Sequence, residues 1–77
     1  MSDTQVSVLI IDDEEIIREA LEALLSAEGY RVRTAATAAE GIDRLGDGPV
    51  DAVLLDLMLP DRNGLEVLED IRRIDEE

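Results

Sequence analysis

Three short strand-like runs limit what this chain can fold into: residues 6–11 (Val-Ser-Val-Leu-Ile-Ile), 30–35 (Tyr-Arg-Val-Arg-Thr-Ala) and 50–55 (Val-Asp-Ala-Val-Leu-Leu). Each is too short for a globular helix, and the first and third stop abruptly at acids. The first and third are apolar enough to be buried on both faces, whereas the second alternates as an edge strand with one wet face does. Between and after them, apolar residues recur at helical spacing. Ile17, Leu21, Leu24 and Leu25, with Ala20 on the same face, predict a first helix stopped by Gly29. Ala38, Ile42 and Leu45 predict a second, opened by the capping-box pattern Thr37-Ala38-Ala39-Glu40. Leu65, Leu68 and Ile71, joined by Val67 and Ile74, predict a third. Strand, helix, strand, helix, strand, helix, with crossovers of this length, implies a parallel sheet with right-handed connections.

At 77 residues the chain has room for one compact α/β domain and no more. Its apolar content of 45% lies in patterned blocks, unlike that of a disordered polyelectrolyte. The net charge of −13 repels phosphate backbones and anionic headgroups, which argues against direct nucleic acid or membrane binding. All seven basic residues are arginines, so no ammonium group is available to a phosphoryl site. Cysteine and histidine are absent, excluding a disulfide framework and thiolate or imidazole metal sites. The opening residues lack a secretory pattern and no apolar stretch is of membrane-spanning length, so a cytoplasmic location is expected.

Two of the three runs end in acids, Asp12-Asp13 after the first and Asp56 after the third. In an open parallel sheet, ligands gather at the carboxyl ends of strands near a change in strand order. If the first and third strands are neighbours, their ends lie about 4.8 Å apart and three carboxylates converge. Such a concentration of like charge calls for a cation, and an all-oxygen site suits Mg²⁺ or Mn²⁺ better than zinc. A divalent ion beside an exposed aspartate can neutralise an incoming phosphoryl group and align the carboxylate for in-line attack, giving an acyl phosphate. Taken singly, either acidic group could merely complement a helix dipole or end a strand. Their joint position at two strand ends favours a shared site. Glu14 and Glu15 read as helix-start charge instead.

At these residues the chain resembles a known family. Val8-Leu9-Ile10-Ile11-Asp12-Asp13-Glu14-Glu15 looks like the opening of a response-regulator receiver domain, and Asp56-Leu57-Met58-Leu59-Pro60-Asp61-Arg62-Asn63-Gly64 is similar to that family's phospho-acceptor loop. The resemblance covers essentially the whole chain. It implies a truncated flavodoxin-like fold, with a three-stranded parallel sheet in the order 2-1-3 and three helices. It further implies that Asp56 accepts phosphate from a sensor kinase's phosphohistidine or a phosphotransfer protein. Asp13 would ligate Mg²⁺ directly, Asp12 would act mainly through metal-bound water, and the Met58 backbone carbonyl would be a further ligand. Pro60 and Gly64 would shape the loop.

Family members continue for two more strand–helix units, so residues 1–77 are expected to be a receiver domain incomplete at its C-terminus. With those units go the hydroxyl residue ending the fourth strand, the aromatic switch residue and the lysine ending the fifth. Neither Thr34 nor Thr37 is placed to replace the hydroxyl. The third strand would be left as a bare apolar edge, which predicts either self-association through it, by apposed edges or exchanged elements, or that the segment is a piece of a longer protein. Any activity would be limited to self-phosphorylation and autodephosphorylation, without turnover of a separate substrate. The alternative function is a phosphorylation-independent interaction module, a truncated pseudo-receiver or scaffold. A haloacid-dehalogenase-type phosphotransferase is disfavoured, because Met58 stands where a second aspartate belongs. An EF-hand is disfavoured because the acids at 12–15 run consecutively.

Overall fold

The computed structural model describes residues 5–56, 59, 61 and 63–75. Six elements follow in the order β1 (Ser7–Ile11), α1 (Glu15–Ala27), β2 (Arg31–Ala35), α2 (Ala38–Leu45), β3 (Ala52–Leu55) and α3 (Gly64–Asp75). The strands form one parallel sheet, as the alternation of elements predicts, in the order β2-β1-β3 that the family resemblance implies. β1 is the centre: all five of its residues are buried, and burying a Leu or Ile side chain contributes about 1.5–3 kcal/mol.

Successive strand residues point to opposite faces, so β1 serves two layers. On one face Leu9 and Ile11 join Ala35, Ala38, Leu59 and Val67 in the main core, flanked by Val53, Leu55 and Ile71. This is the layer of α2 and α3. On the other face α1 lies over β1 and β2. Gly41 sets the depth at which α2 can settle, because a Cβ there would collide with Cδ1 and Cγ1 of Ile11.

Polar contacts fix the sheet's ends. The Asp51 carboxylate accepts from the Ser7 amide at 2.8 Å, while the Asp51 amide donates to the Ser7 carbonyl at 2.8 Å. Together they pin the start of β3 to β1 in register. Arg33, on the second strand, donates to the carbonyls of Arg44 (2.7 Å) and Pro49 (3.2 Å), placing a cation at the C-terminal end of α2 where the helix dipole favours it. Gly29, at φ 96°, stops α1 as expected.

Three expectations need correction. β3 is not buried on both faces: Ala52 and Leu54 are exposed, and Val53 and Leu55 are half-buried. α1 covers β1 and β2 and leaves that flank open, and β3 has no partner on its outer edge among the described residues. For the same reason the stripe expected on α1 is only partly used. Leu21 and Leu25 are half-buried, whereas Leu24 is 61% exposed and no α1 residue is fully buried. On α3 the inward face belongs to Val67 and Ile71, four residues apart, and not to Leu65 and Leu68, which are exposed. Among the described residues, no helix is long and apolar enough to cross a membrane.

Candidate functional site

The register of the sheet brings the acids together. Ile11 of β1 pairs with Leu55 of β3, so the next residues, Asp12 and Asp56, leave the sheet side by side. Backbone bonds extend the ladders past the strand ends: the Asp56 amide donates to the Ile11 carbonyl at 2.9 Å and the Asp12 amide to the Ala35 carbonyl at 3.1 Å. Asp12, Asp13 and Asp56 each offer a carboxylate oxygen, and these three oxygens lie within 4.8 Å of one another. Asp12 and Asp56 are half-buried and Asp13 is exposed. The cluster forms the rim of a concavity that continues along Ile17, Leu21 and Leu54.

The donor set can be tested against a cation by its chemistry. Three carboxylates without nitrogen or sulfur make a hard site. Oxygens around Mg²⁺ sit at about 2.0–2.1 Å from the ion, hence about 3–4 Å from one another. The observed spread is close to that range, and a water between one acid and the ion would close the difference. Met58, whose carbonyl is expected to ligate, and Pro60 lie outside the described residues.

The first turn of α1 is shaped by Asp12. Its Oδ1 accepts from the Glu14 amide at 2.9 Å, and its backbone carbonyl accepts from Arg18 Nη1 at 2.8 Å. One Asp12 oxygen therefore helps open the helix, as the bland reading of that residue holds, while the residue also borders the cluster. Glu14 and Glu15 are exposed at the helix start, Glu14 as the N-cap residue and Glu15 in the first turn.

A further acid was not singled out by sequence. Asp61 accepts from the Ala38 amide through Oδ1 at 3.0 Å and from the Ala39 amide through Oδ2 at 3.1 Å, closing the N-terminus of α2 from the β3–α3 loop. Thr37 Oγ1 accepts from the Glu40 amide at 3.2 Å, while Glu40 Oε1 accepts from the Ala36 amide at 2.7 Å. The predicted capping box is thus present but reaches one residue further back than expected. Thr37 is the N-cap residue of α2. At the other end of the loop, Asn63 Oδ1 accepts from the Leu65 amide at 2.7 Å and starts α3. The only sequence signals for Asp61 and Asn63 were their types, both good cap acceptors.

Comparison with known proteins identifies the family. Residues 8–77 match the family described as the response regulator receiver domain. Among curated proteins, the chain is similar to "Response regulator RR06" of Streptococcus pneumoniae, with 41% identity over 88% of this chain and 31% of the relative. It is also similar to "Transcriptional regulatory protein AfsQ1" of Streptomyces coelicolor, with 44% identity over 91% of this chain and 31% of the relative. The chain thus spans about a third of the length of these curated relatives. Among solved structures it resembles the response regulator TrrA of Thermotoga maritima in complex with Mg²⁺–BeF (TM-score 0.86, 38% identity, 94% of this chain and 63% of that one). TrrA also matches in its complex with the histidine kinase ThkA (TM-score 0.83, 39% identity, 90% of this chain and 60% of that one).

Proposed function

The chain belongs to the response regulator receiver domain family of two-component signalling, and from that premise we propose that Asp56 is its phosphoryl acceptor, working with a divalent cation held by Asp12 and Asp13. The observation that carries this is the convergence of the three carboxylates at the carboxyl ends of β1 and β3. The best donor is the phosphohistidine of a sensor histidine kinase or phosphotransfer protein, a reading supported by the kinase complex of the related TrrA.

In this reading an Asp56 carboxylate oxygen attacks phosphorus in line with the bond to the donor nitrogen. The new oxygen–phosphorus bond gives an aspartyl phosphate, and the bond to histidine breaks with its electron pair leaving on the imidazole. Asp56 is held for this by its own amide bond to Ile11, which fixes the strand end, and by its half-buried position. Asp13, more exposed, would be the direct ligand; Asp12, already hydrogen-bonded to the Glu14 amide, would act mainly through water. The family resemblance would add the Met58 backbone carbonyl. Mg²⁺, or Mn²⁺ in its place, would supply charge neutralisation of the phosphoryl oxygens. The chain acts on itself, by phosphorylation and later hydrolysis, without turning over a separate substrate.

The same reading expects a cytoplasmic location and no direct nucleic acid binding by this segment, because of its charge of −13. The uncovered outer edge of β3 is proposed to pair with a second copy.

The deciding experiment is incubation with acetyl phosphate with and without Mg²⁺, read by intact mass and by fragmentation to the modified residue. A Mg²⁺-dependent phosphoryl adduct on Asp56 is expected. Absence of any adduct on the folded chain would favour a phosphorylation-independent interaction module.

A further inference from the structure

The β3–α3 loop, which follows Asp56, is fastened to the rest of the molecule at three described points. Leu59 is 7% exposed and belongs to the same core cluster as Ala38. Asn63 starts α3 with its side-chain oxygen on the Leu65 amide. Between them Asp61 spans 22 and 23 residues of sequence to bond the Ala39 and Ala38 amides, one with each carboxylate oxygen. A two-pronged acceptor on two successive amides resists both sliding and rotation of the loop against the helix, which a single bond does not. It also places a negative charge at a helix N-terminus, where the dipole favours it.

The geometry points to Asp61 as a positioning residue for the phosphoryl site: by clamping the first turn of α2, it anchors the β3–α3 loop that follows Asp56 and so holds Asp56 where it can share a cation with Asp12 and Asp13. This inference rests on the reading of Asp56 as acceptor. Asp61 itself does not belong to the acid cluster, and its action runs through the loop. Thr37 provides an internal control, because it caps the same helix through the Glu40 amide without coming from the loop. Removing either residue takes a cap from α2, whereas only removing Asp61 takes away the polar anchor between the loop and that helix.

The test uses the full chain, labelled with ¹⁵N, as wild type, Asp61→Ala, Asp61→Asn and Thr37→Ala. Amide exchange is followed by NMR, Mg²⁺ affinity by titration calorimetry, and folding by circular dichroism. In Asp61→Ala the Ala38 and Ala39 amides are expected to lose protection. Its Mg²⁺ affinity should fall about tenfold, the lower end of what supporting residues around a metal site contribute. Asp61→Asn, which keeps one carbonyl acceptor and a similar shape, should lie between it and wild type and serves if Asp61→Ala fails to fold. Thr37→Ala should lose protection at Glu40 and bind Mg²⁺ as wild type does. Wild-type affinity in both Asp61 variants overturns the positioning role, and so does an equal loss in Thr37→Ala, which would trace the effect to general loosening of α2. A wild-type chain that binds no Mg²⁺ overturns the reading of the acid cluster itself and the positioning role with it, and the exchange data would then report a purely structural clamp.

Discussion

Asp56 lies forty-odd residues beyond Asp12 and Asp13, yet the three share a space set by one register pair, Ile11 with Leu55. In the proposed reading their roles separate by exposure and by what each already bonds. Asp56→Asn keeps the shape and one oxygen, so it should abolish phosphoryl labelling while retaining part of the Mg²⁺ affinity. Asp13→Asn should weaken both together, affinity by about tenfold or more, since a direct ligand should contribute no less than its supporting residues. Calorimetric titration with Mg²⁺ and intact-mass labelling, run side by side, check the pair. Labelling of Asp13→Asn at the wild-type rate would remove it as direct ligand. These acids were legible in the sequence because each stands where an apolar run stops. Asp61, Arg18 and Arg33 were not: their partners are backbone groups that only the folded chain brings near, in Asp61's case from 23 residues away.

The elements themselves were read correctly in type and order, since strand-like and helical periods alternate cleanly along the chain. Their edges moved inward, β1 and β2 beginning one residue later than expected and β3 two, because a strand starts where its ladder starts and not where apolar residues do. The stripe predicted for α3 was drawn too wide: Val67 and Ile71 face inward, but Leu65 and Leu68 do not, because spacing alone cannot fix which side of the stripe meets the sheet. Gly41 offers a sharper test of element packing. Gly41→Ala should gain about 1 kcal/mol from helix propensity and lose about 1–3 kcal/mol to overpacking. Overpacking should win, because the side chain it meets, Ile11, is fully buried and has little room to yield. Urea denaturation should show a lower midpoint for Gly41→Ala. Adding Ile11→Val, which removes the nearest colliding atom, should recover part of that loss relative to Ile11→Val alone.

For the whole molecule, a net charge of −13 and a radius of gyration of 12.3 Å describe a small body under strong self-repulsion, a little more extended than the roughly 11.5 Å typical of this length. Sodium chloride should raise its melting temperature by screening, as the Debye length shrinks from about 30 Å at 0.01 M to about 10 Å at 0.1 M. Magnesium chloride at equal ionic strength should raise it further, because binding to the folded state alone adds stability. Equal shifts in calorimetric melts with the two salts would argue against the shared cation pocket. Pairing through β3 should likewise strengthen with salt, and sedimentation across a concentration series should show a growing dimer. A monomer at every concentration would mean that the β3 edge does not pair.

The central strand comes first in the chain, and its two neighbours come later on either side. During synthesis, Asp12 and Asp13 therefore leave the ribosome long before the segment that completes their surroundings. A nascent chain halted ahead of residue 50 carries Asp12 and Asp13 without Asp56, so the three-acid cluster can form only when β3 docks on β1.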